Sequence, residues 1–337
     1  MEASAWVDFL SATIRTSTPI ALATLACTFS ERAGVINIGI EGTMIASAFA
    51  GAVGTYFSGN AWVGMLMGML TGALLASIIA VLSIYCNGDQ VVIGIGINLL
   101  GPGLSYLIMY TLWGSRGTSP WLQGFSVIDI PLIKDIPYLS KIISGYNPTV
   151  YICLALVIIM HYVLYHTKYG LRIRAVGENP NVVATAGLDV YGLRTGAVII
   201  GGLLAGIAGV SLSLGSLNVF TNGMTANRGF LAYAANRFGQ WTPIGSYLAS
   251  LLFGSMEALR IRLQGLEIAP QFLQMLPYVT ALIALTVRGH KLRAPAADGL
   301  PYPHPISIAR ATRNKSKFMR LSRKKGMQSI GENENDN

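Results

Sequence analysis

Charged residues are scarce in this chain, and long polar stretches are few. Only 12% of its 337 residues are charged, whereas 52% are hydrophobic, and the mean hydropathy is +0.52. A soluble domain usually carries about twice that charged fraction. The apolar runs are continuous and do not alternate with polar residues, which argues against a β-barrel. The composition therefore predicts an all-α protein, a polytopic bundle of transmembrane helices.

Cysteine is also rare, and Cys27, Cys86 and Cys153 lie far apart in apolar stretches. Three such cysteines form neither a disulfide framework nor a metal site, so we expect all three to be small buried side chains. The first ten residues, MEASAWVDFL, lack the basic beginning of a secretory signal peptide, and we expect no cleavage there.

Groupings of catalytic residues are missing as well. No Ser/His/Asp set, His-rich metal spacing or pair of carboxylates on one helical face can be assembled from the sequence. The phosphate-binding pattern G-x-x-x-x-G-K-[ST] does not occur. We therefore predict that the chain is not an enzyme, has no cofactor or metal of its own, and does not hydrolyse ATP.

Acidic residues are nearly absent from the long apolar runs, where Glu257 is the exception. Carriers driven by protons or sodium ions usually keep ionisable groups inside the helix bundle. The sequence therefore favours transport powered by a separate partner. A self-sufficient secondary carrier or a channel is the alternative.

The chain does contain a series of apolar runs, most of them long enough to cross a bilayer. With one short, broken crossing included, they predict about nine crossings in a membrane domain that spans residues 1–290. The runs lie at 18–30, 43–57, 62–85, 90–112, 148–166, 194–214, 229–238, 241–259 and 270–287.

A basic tail, 291–337, follows the last run and has ten Lys or Arg against four Asp or Glu, a charge of +6 within the net +9. The positive-inside rule favours a cytoplasmic tail that touches anionic lipid over one that binds nucleic acid. We expect the tail to lie along the protein at first and then to be disordered. If the tail and the polar stretch 168–193 are both cytoplasmic, the loop 113–147 and the N-terminus are external. Arg260 and Arg262 would then be external too, against the charge bias.

Four polar residues in or beside the apolar runs are candidates for a solute pathway. Asn37 and Glu41 belong to a polar insert, 31–42, which is either a loop at the membrane surface or a broken helix that lines the path. Asn98 either contacts solute or forms a hydrogen bond to a neighbouring helix. Asn218 lies in a polar connection between two runs.

Two runs carry glycines at a spacing that allows close helix packing. Gly64, Gly68 and Gly72 are four residues apart and share one helix face, and Gly202 and Gly206 share a face of a later run. Small residues let a second helix approach closely, so these five are predicted packing sites.

The polar stretch 168–193, called here the coupling segment, separates two long apolar runs and must lie outside the bilayer. Arg174 belongs to its basic, cytoplasmic beginning. Asn179 can cap a short helix with Pro180 in the first turn, and Gly187 can end that helix. The helix either docks on a soluble partner or is a plain amphipathic surface helix. The candidate apolar docking face consists of Val182, Val183 and Ala186.

Four motifs occur in order along the chain: SERAGVINIGIEG (30–42), RAVGENPNVVATAGLDV (174–190), NRGFLAYAANRFGQWTPIGSYLASLLFG (227–254) and RAPAADGLPY (293–302). Together they resemble the permease subunits of ABC importers, in the group of branched-chain amino acid and simple sugar permeases. The last motif resembles the nucleoside branch of that group. The resemblance covers roughly residues 15–302.

This resemblance implies a permease of an ATP-driven importer in a bacterial inner membrane. Its cargo would be a small solute, most specifically a purine nucleoside, with a simple sugar or a riboflavin-like compound as alternatives. The implied partners are a second related permease, a cytoplasmic ABC ATPase that binds ATP and Mg, and an external substrate-binding lipoprotein. Gly177, Glu178, Asn179 and Pro180 would belong to the loop that docks in the ATPase.

The chain departs from the motif pattern at two places. Asn227 stands where glycine is expected before Arg228 and Gly229, and Asn236 and Arg237 are more polar than the usual pair. Both departures flank the short apolar run 229–238.

Overall fold

A computed structural model describes residues 2–115, 117–129, 144–264, 270–288 and 293–302. Within these residues the regular structure is helical, and the β-type contacts are two isolated bridges, Thr118–Thr221 and Ile128–Tyr146. The helices are α1 (Glu2–Arg32), α2 (Ile40–Ser58), α3 (Ala61–Ala80), α4 (Gln90–Trp113), α5 (Pro148–His166), α6 (Lys168–Glu178), α7 (Pro180–Thr185), α8 (Val190–Val210), α9 (Arg228–Phe238), α10 (Pro243–Leu263) and α11 (Pro270–Arg288). Short π-helical stretches extend α3 by Val81–Tyr85 and α8 by Ser211–Leu217.

Among the residues that the structure describes, four helical stretches are long and apolar enough to cross a membrane. Ala61–Tyr85, Gln90–Trp113 and Pro148–His166 are at most one-third buried within the chain, so most of their surface is left for lipid or another subunit. Val190–Leu217 is 83% buried and lies inside the bundle. The prediction of an all-α membrane fold is confirmed for the described residues.

Helix α1 is the central element, and it is far longer than the predicted run 18–30. The apolar run covers only the second half of α1. The first half carries hydroxyl and charged side chains, so its hydropathy is too low to predict a membrane helix. Thr16 Oγ1 in the first half donates to the carbonyl of Gly254 in α10 over 2.8 Å. Residues 17–31 are buried throughout, and the largest apolar cluster forms around them and α8.

Helices α3 and α8 meet along their glycines. A methyl group on Gly72 would overlap the carbonyl oxygen of Gly202, and one on Gly68 would overlap Val210. From the other side, a Cβ on Gly206 would lie 2.6 Å from the carbonyl oxygen of Gly68. The two backbones approach so closely that any side chain on these faces would push them apart.

The cysteines differ in burial. Cys27 and Cys153 are buried, as predicted, but Cys86 is exposed. Cys86 directly follows the π-helical end of α3 and precedes a turn at Asn87, where φ is +53°. The prediction that all three are buried is wrong for Cys86, because hydropathy around it does not reveal that the helix ends there.

Parts of two predicted regions lie outside the described residues. They are 130–143 of the loop 113–147, and 289–292 and 303–337 around and within the basic tail.

Candidate functional site: a polar cavity, a capped short helix and a coupling surface

The polar insert 31–42 lies inside the fold. Glu31, Asn37 and Glu41 are 0%, 3% and 8% exposed. Helix α1 ends at Arg32, and α2 begins at Ile40 after an irregular turn that contains Gly34 at φ +80°. The insert is therefore a buried break between two helices and not an exposed loop.

Glu41 holds the beginning of α9. Its Oε1 accepts hydrogen bonds from Thr225 Oγ1 (2.5 Å) and from the backbone N–H of Asn227 (2.9 Å). Its Oε2 accepts one from the N–H of Gly229 (2.7 Å). A carboxylate is favourable at a helix N-terminus because it pairs with unsatisfied N–H groups and with the helix dipole. Glu41 therefore fixes the turn that starts the short helix.

The unusual residues of this turn have a backbone explanation. Asn227 has φ +64° and Ala226 has φ +45°, so both are in the left-handed region. Glycine adopts that region without cost, and asparagine tolerates it better than other residues. A Cβ on Gly229 would lie 2.7 Å from Glu41 Cα. Asn227 therefore replaces a glycine at a position where the backbone itself favours glycine.

The end of α9 is held by the same insert. Arg32 donates from Nε to the carbonyl of Trp241 (2.6 Å) and from Nη2 to that of Gln240 (3.1 Å). Glu31 accepts hydrogen bonds from the side chains of Asn236 and Trp241. A cation near the last carbonyls of a helix complements the acid near its first N–H groups.

Asn236, the second departure from the motif pattern, is fully buried and uses both ends of its amide. Its Nδ2 reaches Glu31 (3.1 Å), and its Oδ1 accepts from Thr28 Oγ1 (2.8 Å) and Ser246 Oγ (3.3 Å). This side chain therefore links α9 to α1 and α10, which explains why a polar residue is stable there.

Asn98 and Asn37 line neither of the two cavities that are described below. Asn98 donates to the carbonyl of Ile38 (3.0 Å) and accepts from the N–H of Gly42 (2.8 Å), so its amide joins α4 to the insert. Asn37 is buried, and its Oδ1 has no hydrogen-bond partner among the described residues. The geometry around Asn98 is that of a cross-helix hydrogen bond.

A cavity of about 510 Å³ opens between α1, the π-helical end of α8 and the loops before α5. Of the four pathway candidates, Asn218 lines it, at φ +55° after the π-helical stretch. The described lining contains two arginines and no carboxylate, with Phe125, Val127 and Met224 among its apolar part. Its polar lining comes from Arg15, Thr16, Thr18, Asn147, Thr149, Ser211, Ser216, Asn218 and Arg228.

Most of this lining was not predicted from the sequence. Arg15 and Thr16 belong to the half of α1 that the apolar run did not include, and Asn147 precedes α5. The side chain of Asn147 donates to the carbonyl of Gly215. The available signal was the clustering of hydroxyl and amide residues at the ends of otherwise apolar runs, which is too common in membrane proteins to be specific.

Arg228 stands between this cavity and a smaller one of about 170 Å³. Its guanidinium pairs with Glu257 (2.8 Å), and Glu257 also pairs with Arg260 (2.6 Å). The exceptional acid of the apolar runs is therefore shared by two arginines and offsets one of their two positive charges. This sharing lowers the cost of Arg260 against the charge bias, because part of its charge is compensated within the protein.

The coupling segment has the predicted caps. Asn179 Oδ1 accepts from the N–H groups of Asn181 (3.1 Å) and Val182 (3.3 Å), Pro180 is the first residue of α7, and Gly187 adopts φ +76° just after it. Arg174 lies over the ring of Tyr165 at 4.9 Å.

The exposed apolar groups of the segment differ in part from the predicted docking face. Val182 is 60% exposed and Ala186 is exposed, but Val183 is 4% exposed. The inclusion of Val183 was wrong, because it packs inward from the single turn of α7. Leu171 in α6, at 61% exposure, is a further exposed apolar residue of the coupling segment.

Residues 293–300, called here the C-terminal segment, run beside the coupling segment. The N–H of Ala297 donates to the carbonyl of Gly177 (2.8 Å), and that of Ala296 to Glu178 (3.4 Å). Burial raises the pKa of Asp298 to about 6, against the opposing charges of Arg237 and Arg194. Three of the four motifs of the sequence thus meet in one place, around Gly34, Gly177 and Ala297.

Comparison with known proteins identifies the family of this chain. Residues 9–285 match the family described as "Branched-chain amino acid transport system / permease component". The chain is 38% identical over 303 residues to the guanosine ABC transporter permease protein NupQ of Bacillus subtilis, covering 86% of this chain and 95% of the relative. It is 35% identical over 297 residues to the nucleoside ABC transporter permease protein NupC of Lactococcus lactis, covering 85% and 93%.

A third relative is the guanosine permease protein NupP of Bacillus subtilis, 27% identical over 258 residues, with 74% of this chain and 73% of the relative covered. These matches confirm the resemblance drawn from the four motifs. The chain belongs to the branched-chain amino acid type family of ABC-transporter permease components and is a multi-pass membrane protein.

Proposed function

We propose that this chain forms part of the translocation pathway of an ATP-driven importer for nucleosides, in a bacterial inner membrane. The assignment of a nucleoside substrate rests on one observation: the chain is similar, over more than four-fifths of its length, to permeases named for nucleosides and guanosine. The ATPase, with its ATP and Mg, would be a separate cytoplasmic subunit. An external substrate-binding lipoprotein would deliver the solute.

The second half of the pathway would come from a related permease. Bacillus subtilis has two permease proteins named for guanosine, and this chain is 38% and 27% identical to them. The large uncovered surfaces of α3, α4 and α5 are available to a partner permease and to lipid.

About nine crossings would place the N-terminus outside and the C-terminus in the cytoplasm, with α9 as the short, broken crossing. Backbone that ends a helix at membrane depth needs other partners for its polar groups. Glu41 at one end of α9, and Arg32 at the other, supply such partners.

The 510 Å³ cavity is the proposed solute site. Its size is within the range of about 300–1,000 Å³ typical of small-molecule sites. Hydroxyl, amide and guanidinium groups would bind the ribose and the base edges, and Phe125 would pack against an apolar part of the solute. A lining with two arginines and no described carboxylate suits a neutral solute better than a cation.

The coupling segment would dock on the ATPase through its exposed groups. Leu171 and Val182 are exposed apolar residues of this segment that an ATPase surface could cover. ATP binding would move this segment and switch the cavity between outward and inward access.

The test is reconstitution of this chain with the second permease, the ATPase and the lipoprotein in proteoliposomes. We expect ATP-dependent accumulation of radiolabelled guanosine, and none of glucose or riboflavin. Accumulation by this chain without the ATPase would make it a secondary carrier or channel. ATP-dependent uptake of glucose or riboflavin alone would reassign the substrate.

Docking is tested separately with Val182→Asp and Glu178→Ala in the same complex, against Ile128→Asp in the proposed external loop as control. We expect the first two to reduce both uptake and co-purification of the ATPase, and the control to change neither. Unchanged association in the first two would count against docking at this segment.

A further inference from the structure

The C-terminal segment (293–300) is part of the fold and not a loose end. Besides its hydrogen bonds to the coupling segment, the N–H of Gly299 donates to the carbonyl of Gly34 over 3.3 Å. The carbonyl of Leu300 accepts from Arg194 Nη1 over 3.0 Å. Four hydrogen bonds thus join eight residues to three separate elements: the coupling segment, the polar insert and α8.

The position of Arg194 supports a specific role for this contact. Arg194 is 1% exposed, among the most buried large side chains of the chain. A buried guanidinium is costly unless it is hydrogen-bonded or paired with a charge. The carbonyl of Leu300 is one acceptor, and Asp298 lies close enough for Arg194 to oppose the rise in its pKa.

The backbone at this contact leaves little room for independent movement. Gly34 and Gly299 have φ +80° and +75°. A Cβ on Gly34 would lie 2.9 Å from the carbonyl oxygen of Ala297, and one on Gly299 would lie 2.6 Å from Ile36 Cδ1. A methyl group on Gly177 would overlap the carbonyl oxygen of Arg32. The coupling segment, the insert and the C-terminal segment are therefore packed backbone to backbone.

The insert leads from this contact to the cavity. Arg32 and Glu31 hold the end of α9, and Glu41 holds its beginning. Arg228, the first residue of α9, lines the 510 Å³ cavity. Every step of this route is a described hydrogen bond or a close backbone contact.

We infer that the C-terminal segment is the element that makes the coupling segment and the polar insert move as one body, so that displacement of the coupling segment reaches α9 and the cavity. The inference rests on the proposed function, because it assigns a role within the transport cycle. Gly299 and Gly34 act as positioning residues in this scheme, since neither contacts the solute.

The first experiment separates transport from ATP hydrolysis in the reconstituted complex. Gly34→Ala places a methyl group 2.9 Å from the carbonyl oxygen of Ala297 at a left-handed position, and Gly59→Ala is the matched control at φ +65°, with nothing within 4 Å of its Cβ. We expect Gly34→Ala to lower guanosine uptake at least tenfold while ATP hydrolysis stays within twofold of the parent. Gly59→Ala is expected to keep both. Uptake within twofold of the parent in Gly34→Ala would overturn the inference.

The second experiment does not depend on a destabilising change. Ile36→Cys in the polar insert and Leu300→Cys in the C-terminal segment lie where these two segments pack together, next to Gly299. In a chain whose exposed Cys86 is replaced by Ser, the two cysteines are bridged in the assembled complex by a short bifunctional methanethiosulfonate reagent. If the two segments move together, the bridged complex transports guanosine at a rate within twofold of the unbridged one. Loss of uptake on bridging, restored by reductant, would show that the segments separate during the cycle and would overturn the inference.

The result for the parent complex separates a failure of the proposed function from a failure of the inference about the C-terminal segment. If the parent does not accumulate guanosine with ATP, the proposed function fails. If the parent does, and either variant experiment gives the contrary result, the inference about the C-terminal segment fails alone.

Discussion

Oε2 of Glu41 accepts a hydrogen bond of 2.7 Å from the backbone N–H of Gly229, although the two residues are 188 positions apart in the chain. Arg32 and Glu31 form hydrogen bonds near the other end of α9, so the polar insert contacts both ends of this short helix. A helix of 11 residues is marginal by itself, so its position depends on such tertiary contacts.

Glu41→Gln should therefore destabilise the beginning of α9. The amide can replace one acceptor oxygen, but its NH₂ group then faces an N–H or hydroxyl donor that has lost its partner. Leaving a buried donor unsatisfied costs about 1–3 kcal/mol. We expect a lower thermal unfolding temperature in detergent than for the parent or for Glu178→Gln on the exposed surface, and lower guanosine uptake than for the parent. Unchanged stability would mean that Glu41 does not hold the turn.

Replacement of Asn227 tests the backbone conformation at the same turn. Asn227→Gly should be neutral or stabilising, because glycine adopts φ +64° freely. Asn227→Ala should destabilise by about 1 kcal/mol, since a Cβ without a compensating polar group is unfavourable there. Thermal unfolding of both variants decides the point. Equal effects of Gly and Ala would show that the side chain of Asn227 matters and its φ does not.

Glycine substitutions on two helices should have opposite effects. Gly72→Ala forces α3 away from the carbonyl oxygen of Gly202 and should cost about 1–3 kcal/mol, as overpacking does. Gly96→Ala in α4 meets nothing within 4 Å and should be neutral or gain up to about 1 kcal/mol from helix propensity. Both are measured by thermal unfolding in the same detergent. A similar loss in both would indicate that close packing at Gly72 is not the cause.

The charged trio beside the cavity should respond most strongly to loss of its acid. Glu257→Ala leaves Arg228 and Arg260 without their shared partner. Because the two arginine side chains are 16% and 19% exposed, the cost should lie below the about 3–5 kcal/mol of a fully buried pair and above the about 1 kcal/mol of a surface pair. Arg260→Ala should cost less, because Glu257 keeps Arg228. The ranking is read from unfolding temperatures and yields of folded protein. A larger loss for Arg260→Ala would contradict it.

The stability of the C-terminal segment should depend on pH through Asp298. Its pKa is raised from 3.8 to about 6 by burial, so the folded state binds this proton more tightly than the unfolded state. The corresponding stabilisation is complete below the unfolded pKa and is lost as the pH rises through about 6. Asp298→Asn cannot ionise, so its unfolding temperature relative to the parent should increase between pH 4 and pH 7. A difference that does not vary with pH would contradict the assigned burial effect.

The elements that were predictable from the sequence are those with local causes. The apolar runs predicted helices because the length and composition of a membrane helix are properties of consecutive residues. The caps of the coupling segment were predictable at Asn179, Pro180 and Gly187 for the same reason, since a cap involves partners two or three residues away. The glycine spacing of α3 and α8 indicated close packing, although not that these two helices pack on each other.

The beginning of α1 was missed because its polar side chains are satisfied by distant partners, such as Gly254 for Thr16. Hydropathy measures what a residue prefers and not what it contacts. Val183 was assigned to the wrong face because a helix of one turn has no periodicity from which to read an orientation.

By itself, the sequence determined the class of this protein, its helical membrane architecture, and where a water-exposed segment interrupts it. Only the tertiary structure decided what its few buried charges do. Glu41 binds the first turn of α9, Glu31 and Arg32 bind its last turn and the turn that follows it, Glu257 is shared by two arginines, and Arg194 binds the C-terminal segment. The physical reason is that a charge buried in a low-dielectric interior must find its partner in space, and these partners are far away along the chain.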